Sequence, residues 1–184
     1  MKKLMIAAAI VCAAALSQAA SVTWTGMAPA MTGVTSGYNA FLVDASAYET
    51  FAEALAAVVK DGAGADGIMY SGTATYNSKS SIAVVNQTNK ALPASYASDQ
   101  NVTYWSILLD GTAGESGTAK NYYNMTAAKD NLEAYGSGKI SSAGKLTVQL
   151  GSVTAGAWTA VPEPTSGLLL LLGVAGLALK RRRA

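Results

Sequence analysis

The sequence predicts a mainly β fold, either sandwich-like or a meander, that contains one amphipathic α-helix. Short segments rich in Thr, Val and Tyr recur along the chain, and clusters of Gly, Ser, Asn and Asp separate them. A single helical pattern interrupts this series. Both chain ends are strongly apolar, and they are predicted to form an N-terminal helix and a short C-terminal hydrophobic helix outside the β-rich part.

Eight segments have the composition of strands. The most informative is residues 102–109, which is apolar on both faces toward its end, as expected for a central strand covered on both sides. It is predicted to form a hairpin with residues 119–125 across the Gly-rich turn at residues 110–117. The predicted strands are residues 22–25, 38–43, 68–76, 81–86, 102–109, 118–125, 145–150 and 153–158.

One helix is predicted after the second strand, because apolar residues recur at the i, i+3, i+4, i+7 spacing of a single helix face. Its predicted start is a capping box of Ser46 and Glu49, and its predicted end combines Lys60 with Gly62 as the C-cap. Since Lys60 is the one basic residue here, packing against the sheet is favoured over a membrane-surface role. The apolar face consists of Tyr48, Phe51, Ala52, Leu55, Val58 and Val59.

The apolar N-terminus has the three parts of a secretory signal peptide. Two lysines precede an apolar run at residues 4–16, and a small-x-small cleavage signature ends at Ala19. Residues 1–19 are therefore predicted to be a signal helix, with cleavage after Ala19 or Ala20. The single cysteine, Cys12, lies inside this signal, so the mature chain is expected to form no disulfide.

The apolar C-terminus contains prolines, then a short apolar run, then a cluster of cations. As a helix, residues 167–179 would measure roughly 20 Å, which is shorter than the roughly 30 Å hydrocarbon core of a bilayer. Lys and Arg side chains reach the headgroups and favour the cytoplasmic side, so the segment is predicted to halt export with marginal anchoring strength. The cations of this membrane stop are Lys180, Arg181, Arg182 and Arg183.

Residues 161–184 resemble the PEP-CTERM sorting signal, because Pro162-Glu163-Pro164, the apolar run and the Arg cluster occur in that order at the C-terminus. The resemblance covers this segment alone. It implies recognition by an exosortase, a transpeptidase-like membrane enzyme of Gram-negative bacteria that often make exopolysaccharide. Pro162, Glu163 and Pro164 would then be substrate residues, the chain would be anchored transiently in the inner membrane, and exopolysaccharide would be a candidate partner. A plain tail anchor is the alternative interpretation.

Residues 20–160 remain as one extracytoplasmic domain, which is long enough to build its own core. Seven lysines oppose ten carboxylates in this range, so its net charge is −3 although the whole chain carries +2. The range has no arginine and no run of lysines. A nucleic-acid partner is therefore not expected.

No catalytic site, metal site or cofactor is predicted. The chain has no histidine, which excludes Ser-His and Cys-His nucleophile systems and most zinc sites. Asp110 and Glu115 are a candidate glycosidase pair, but an Asp at the start of a Gly-rich turn is far more often a turn former. Residues 61–67 place two carboxylates on a Gly-rich loop without EF-hand spacing, so calcium binding there is not favoured.

Two classes of function remain open. The first is a non-catalytic surface or matrix protein that is exported to the cell envelope and contacts exopolysaccharide or neighbouring cells. The second is a carboxylate-dependent hydrolase of surface glycans. The lack of histidine and of a close carboxylate pair favours the first. Core packing is favoured over sugar stacking for the strand aromatics Tyr104, Trp105, Tyr122 and Tyr123.

Overall fold

The computed structural model describes residues 19–31, 37–110, 119–152 and 157–162. The predicted signal helix and the predicted C-terminal hydrophobic helix both lie outside these ranges. Within the ranges, no helix is both long enough and apolar enough to cross a membrane.

Strands dominate the described chain and one α-helix accompanies them, so the predicted mainly β class is confirmed. In chain order the elements are β1 (Ser21–Pro29), β2 (Tyr38–Asp44), α1 (Phe51–Asp61), β3 (Ile68–Asn77), β4 (Ile82–Ala91), β5 (Asn101–Leu109), β6 (Asn121–Asn124), β7 (Gly136–Lys139), β8 (Lys145–Ser152) and β9 (Thr159–Ala160).

The described strands form one sheet with the order β8-β1-β4-β3-β2-β5-β6-β9, and β7 pairs with the first half of β5. Neighbouring strands are antiparallel except β1 and β8, which are parallel. Strands β2, β3 and β4 follow one another as a meander. The sheet curls into a half-barrel instead of forming the two layers of a sandwich.

Irregular pairing contributes to this curl. The register shifts in β1 between Val22 and Trp24, and again between Thr25 and Met27. Bulges of this kind bend a strand and raise its local twist. The curled sheet can therefore bury one of its own faces without a second sheet. The cluster on that face includes Trp24, Leu42, Leu108 and Leu146, all of them 0% exposed.

Helix α1 covers the opposite face of the sheet over β2 and β5. Phe51 and Leu55 of the helix join Trp105 and Ile107 of β5 in a second buried cluster. Because successive strand residues face opposite sides, β5 is buried on both faces. The predicted doubly covered central strand is confirmed.

The predicted start of the helix is wrong by one turn. Thr50 is the N-cap, and its Oγ1 accepts the N–H of Glu53 at 3.2 Å. Glu53 in turn accepts the N–H of Glu49, so the capping interactions involve Thr50 and Glu53. Ser46 is unavailable because its N–H and hydroxyl both donate to Asp44 in a separate 3-10 turn. The predicted end is confirmed, with Gly62 as the C-cap at φ 57°.

The predicted hairpin between β5 and β6 is confirmed, with Leu108 opposite Tyr123. Strand β7 was not predicted, because the sequence Gly-Ser-Gly-Lys lacks the residues typical of strands. It forms beside a tyrosine ring: a Cβ at Gly136 would lie 2.6 Å from Cε2 of Tyr104. Glycine is therefore what allows β7 to approach β5 this closely.

Candidate functional site at the C-terminal junction

The predicted sorting residues begin where the described chain ends. Pro162 is described and exposed, whereas Glu163, Pro164 and the cations at residues 180–183 lie outside the described ranges. The structure therefore shows how the folded domain leads into the motif.

Strand β9 lies at one edge of the sheet and is the last element before Pro162. It pairs antiparallel with β6, and the Val161 N–H continues the contact by donating to the Lys120 carbonyl at 2.9 Å. The predicted strand at residues 153–158 is wrong where it can be compared, since Ala157 and Trp158 precede β9 rather than belonging to it. Residues 153–156 lie outside the described ranges.

Trp158 attaches this segment to the body of the domain. Its ring stacks on Tyr38, with centroids 4.9 Å apart and an interplanar angle of 27°. It also packs against Tyr123 at 5.7 Å, and its Nε1–H donates to the carbonyl of Pro29 at 2.8 Å. Trp158 belongs to no distinct sequence pattern, and its position four residues before Pro162 was the available signal.

The two phenol rings that support Trp158 are buried. Tyr38 is 2% exposed and Tyr123 is 1% exposed. Burial raises the pKa of both hydroxyl groups, and for Tyr38 this effect outweighs the hydrogen bond that its oxygen accepts from the Met31 N–H at 2.8 Å. Both rings are therefore neutral at ordinary pH and offer Trp158 an uncharged surface.

Specific contacts also hold the start of the described chain, at Ala20 and Ser21. Ala19 is exposed, whereas Ala20 is 2% exposed and belongs to the core. The Ala20 carbonyl accepts the Leu92 N–H at 2.8 Å, and the Ser21 N–H donates to the Gly144 carbonyl at 2.8 Å. Ala20 is therefore the first buried residue of the described chain, and it directly follows the predicted signal cleavage residue Ala19.

The two junctions lie at opposite ends of β1. Ala20 immediately precedes this strand, and Pro29, its last residue, accepts the hydrogen bond from Trp158. At about 3.3 Å per residue, β1 separates the two ends by roughly 25–30 Å.

Asp110 has a structural role. One of its carboxylate oxygens accepts the N–H groups of Lys120 and Asn121, both at 2.8 Å, and the other accepts the Asn121 side-chain amide at 2.6 Å. This arrangement ties the end of β5 to the start of β6, which is the turn-forming role that the sequence favoured. Glu115, the other member of the candidate glycosidase pair, lies outside the described residues, so the pair stays a prediction.

The Gly-rich loop at residues 61–67 is also held by structural contacts. Asp61 lies 3.7 Å from the Lys60 ammonium group, and the carbonyl of Asp66 accepts the Tyr48 hydroxyl. Across the described part of the chain, no group of three His, Cys, Asp or Glu side chains could hold a metal ion.

Most of the strand aromatics that the sequence singled out are core residues. Tyr104, Trp105 and Tyr123 are 6%, 4% and 1% exposed, and Tyr122 packs against Phe51. The predicted core packing is therefore confirmed for Tyr104, Trp105 and Tyr123, because buried rings cannot stack on sugars, whereas Tyr122 is half-buried.

Tyr135, which the sequence analysis did not single out, is 60% exposed. Its ring lies edge-on to Trp105 at 6.4 Å, and the Trp105 Nε1–H donates to the Glu133 carbonyl at 2.9 Å. The loop that carries Tyr135 is thereby supported from the core.

An open cleft of about 390 Å³ lies beside the end of β2 and is lined in part by Asp44, Thr103 and Ser137. Asp44 is already engaged, since it accepts two hydrogen bonds from Ser46 and one from the Tyr96 hydroxyl at 2.8 Å. The pKa of the Tyr96 hydroxyl is raised above its ordinary value. Burial is the largest cause, and this hydrogen bond to Asp44 is the next. The carboxylate therefore connects two loops rather than acting as a free acid.

Comparison with known families assigns the C-terminal segment. The family model of the PEP-CTERM protein-sorting motif matches residues 160–183, which confirms the resemblance predicted from the sequence. The motif indicates export toward the cell envelope and an exosortase as the processing enzyme. No curated protein and no solved structure matches the chain.

Proposed function

We propose that this chain is an exported, non-catalytic protein of the cell envelope or extracellular matrix, which an exosortase processes at its C-terminal sorting signal. The folded domain, residues 20–160, is the part that performs the structural role. Residues 1–19 direct export, and residues 161–184 direct sorting.

The observation that carries this proposal is the position of the motif relative to the fold. The match begins at Ala160, the last residue of β9, and the last hydrogen bond of this edge comes from Val161. A cut beyond Pro162 would therefore remove none of the strands that the structure describes. The sorting signal and the domain are thus separable parts of one chain.

The length of the tail supports transient rather than permanent anchoring. A helix formed by residues 167–179 would be roughly 20 Å long, about 10 Å short of the hydrocarbon core of a bilayer. The terminal cations compensate in part by extending to the headgroups on the cytoplasmic side. Such a segment holds the precursor in the inner membrane long enough for processing, after which the domain remains on the outer side.

The proposed non-catalytic role rests on the available side-chain chemistry. The chain has no histidine, and the candidate acid Asp110 is engaged in closing a turn through three hydrogen bonds. A general acid or base must reach a substrate proton, which this arrangement opposes. A surface glycan hydrolase is therefore the less supported alternative.

Contact with exopolysaccharide is a finer part of the proposal, and Tyr135 is its best-supported residue. An exposed aromatic ring with a fixed orientation offers an apolar face to a sugar and a hydroxyl for hydrogen bonding. Trp105 supports the ring from the core side, so little side-chain freedom would be lost on binding.

The test is a processing assay in the native host. Replacing Pro162 and Pro164 with Ala leaves the apolar run and the cations intact, so the variant should insert but accumulate as a longer, membrane-bound form. Pro93→Ala is the matched control, because Pro93 is exposed and lies outside the motif. If the double variant matures and localises like the wild type, the segment is a plain tail anchor and the proposal fails.

A further inference from the structure

Helix α1 covers only part of its side of the sheet. It packs on Trp105 and Ile107 in the second half of β5. Because alternate strand residues share a face, Thr103 and Asn101 lie on the same side as Trp105, nearer the start of the strand. Thr103 is half-buried and Asn101 is exposed. The first half of β5 therefore presents a side-chain surface that the helix does not cover.

Strand β7 widens this surface, because residues directly opposite each other in a pair of strands share a face. Thr103 lies opposite Ser137, and Asn101 lies opposite Lys139. Tyr135 immediately precedes β7, and its ring contacts Trp105 in the next position of the row. These pairs form a strip roughly 13 Å long. We call it the β5–β7 face, and it consists of Asn101, Thr103, Trp105, Tyr135, Ser137 and Lys139.

We propose that the β5–β7 face binds an uncharged segment of a polysaccharide, with the Tyr135 ring packing on one sugar and the Thr103 and Ser137 hydroxyl groups bonding to the next. This inference deepens the proposed function, and it rests on the part in which the domain contacts exopolysaccharide. It adds where the glycan binds and which class of glycan is bound.

The polar side chains of the face are available to a ligand. Asn101, Thr103 and Ser137 line the cleft of about 390 Å³ beside the end of β2, which is within the roughly 300–1,000 Å³ of small-ligand sites. Among the described residues, neither hydroxyl group and neither end of the Asn101 amide has a hydrogen-bond partner. Hydroxyl and amide groups both donate and accept, as sugar hydroxyl groups do. A glycan can therefore replace the water that solvates them.

The backbone of β5 adds a donor and an acceptor at the same place. The Gln100 and Ser106 carbonyls accept bonds from residues just after β7 and β6. Since bonding direction alternates along a strand, the Thr103 N–H and C=O face the β2 side, where pairing ends at Asp44 opposite Tyr104. This opening spans only residues 101–103, whereas an ordinary strand has about 5–6 residues. It therefore suits a sugar hydroxyl better than an added peptide strand.

The charges around the face favour an uncharged glycan. Lys139 is the one cation of the β5–β7 face, and its ammonium group pairs with Asp99 at 2.9 Å. Asp44, at the side of the cleft, is an anion. Residues 20–160 carry a net charge of −3. An acidic polysaccharide would therefore find no unpaired cation on this face and would be repelled by the domain as a whole.

The first experiment measures retention of the chain, purified from its native host, on immobilised exopolysaccharide from that host. The exopolysaccharide is separated into uncharged and acidic fractions. The uncharged fraction should retain the chain, and retention should change by less than about 2-fold between about 0.1 M and about 1 M salt. Retention by the acidic fraction alone would overturn the proposal. Loss of retention after protease treatment of the uncharged fraction would also overturn it, because the partner would then be a protein.

The second experiment removes the proposed hydrogen bonds one at a time. Thr103→Val keeps the shape of the side chain and Ser137→Ala changes an exposed one, and each should weaken retention by about 2-fold to about 10-fold. Thr73→Val is the matched control, because Thr73 is an exposed strand residue of β3 outside the face. Asn101→Ala, at the exposed start of β5, gives a further test if Thr103→Val lowers stability. Wild-type retention in Ser137→Ala and Asn101→Ala would overturn the proposal.

These outcomes are separate from those of the processing assay. If the wild type is processed and the variants of the face bind like it, the proposed function stands and this inference alone is wrong. If neither fraction retains the wild type, contact with exopolysaccharide fails together with this inference, while sorting by an exosortase is unaffected. If the Pro162 and Pro164 variant matures normally, the proposed function fails, and the binding measurements still decide this inference.

Discussion

The Trp158 indole lies on the Tyr38 phenol ring with 4.9 Å between centroids, although the two residues are far apart in the sequence. Tyr38 opens β2 near the centre of the sheet, and Trp158 precedes β9 at its edge. This contact brings the start of the sorting motif against the folded domain.

Loss of this contact should destabilise the domain. Trp158→Ala removes a half-buried ring and one hydrogen bond, so the free energy of unfolding should fall by about 2–3 kcal/mol. Trp158→Phe should lose about 1 kcal/mol, because it keeps most of the ring contact. Urea unfolding of the domain followed by circular dichroism would measure both values. Equal stability of Trp158→Ala and wild type would show that the contacts of Trp158 make no net contribution to the free energy of unfolding.

The mature N-terminus should be Ala20. Cleavage after Ala19 leaves the buried Ala20 methyl group and the bond from Leu92 in place, whereas cleavage after Ala20 removes both. N-terminal sequencing of the protein from its native host should therefore yield Ala20 as the first residue. Recovery of Ser21 as the first residue would contradict the prediction, and recovery of Met1 would remove the case for export.

The helix cap can be tested with two matched substitutions. Thr50→Ala removes the oxygen that accepts the Glu53 N–H, so it should cost about 1 kcal/mol of stability. Ser46→Ala should cost less than about 0.5 kcal/mol, because Ser46 is exposed and does not cap the helix. Thermal unfolding would compare the stability losses of the two variants. A larger loss for Ser46→Ala would favour the helix start at Ser46 that the sequence predicted.

Stability should decline at alkaline pH. Burial raises the pKa of Tyr38, Tyr104 and Tyr123 above the ordinary value of 10.0. The unfolded chain therefore releases these protons at lower pH than the folded domain does, so the free energy of unfolding falls as pH rises above about 10. Below about pH 10, the contribution of these three tyrosine hydroxyl groups to the free energy of unfolding is fully present.

Thermal unfolding between about pH 9 and about pH 11 would measure this decline. Tyr104→Phe should show a shallower dependence on pH, since it removes one of the raised hydroxyl groups. A pH dependence identical to that of the wild type would contradict the assignment to buried tyrosines.

Binding to exopolysaccharide should depend on Tyr135. If its ring contacts sugar, Tyr135→Ala should weaken retention on exopolysaccharide from the native host by about 2-fold to about 10-fold, corresponding to about 0.5–1.5 kcal/mol. Leu132→Ala is the matched control, because Leu132 is 55% exposed in the same loop and is not aromatic. Equal retention of both variants and the wild type would remove Tyr135 from the proposal.

Local patterns were sufficient where residues close in sequence determine the structure. The helix end at Gly62 and the hairpin of β5 and β6 follow from residue spacing and turn composition, and both are present. The start of the helix was missed because two consecutive capping boxes, Ser46 with Glu49 and Thr50 with Glu53, satisfy the same pattern. Asp44 decides between them by holding Ser46 in a separate turn.

The sequence by itself determined the β-rich class, the absence of histidine chemistry and the sorting motif, since composition and short contiguous patterns carry all three. Only the tertiary structure decided that β1 pairs with β8 and β4, that β7 forms beside Tyr104, and that Trp158 lies on Tyr38. These contacts join residues far apart in the chain. Their free energy comes from burial and pairing that exist only once the sheet has curled, and no local pattern encodes them.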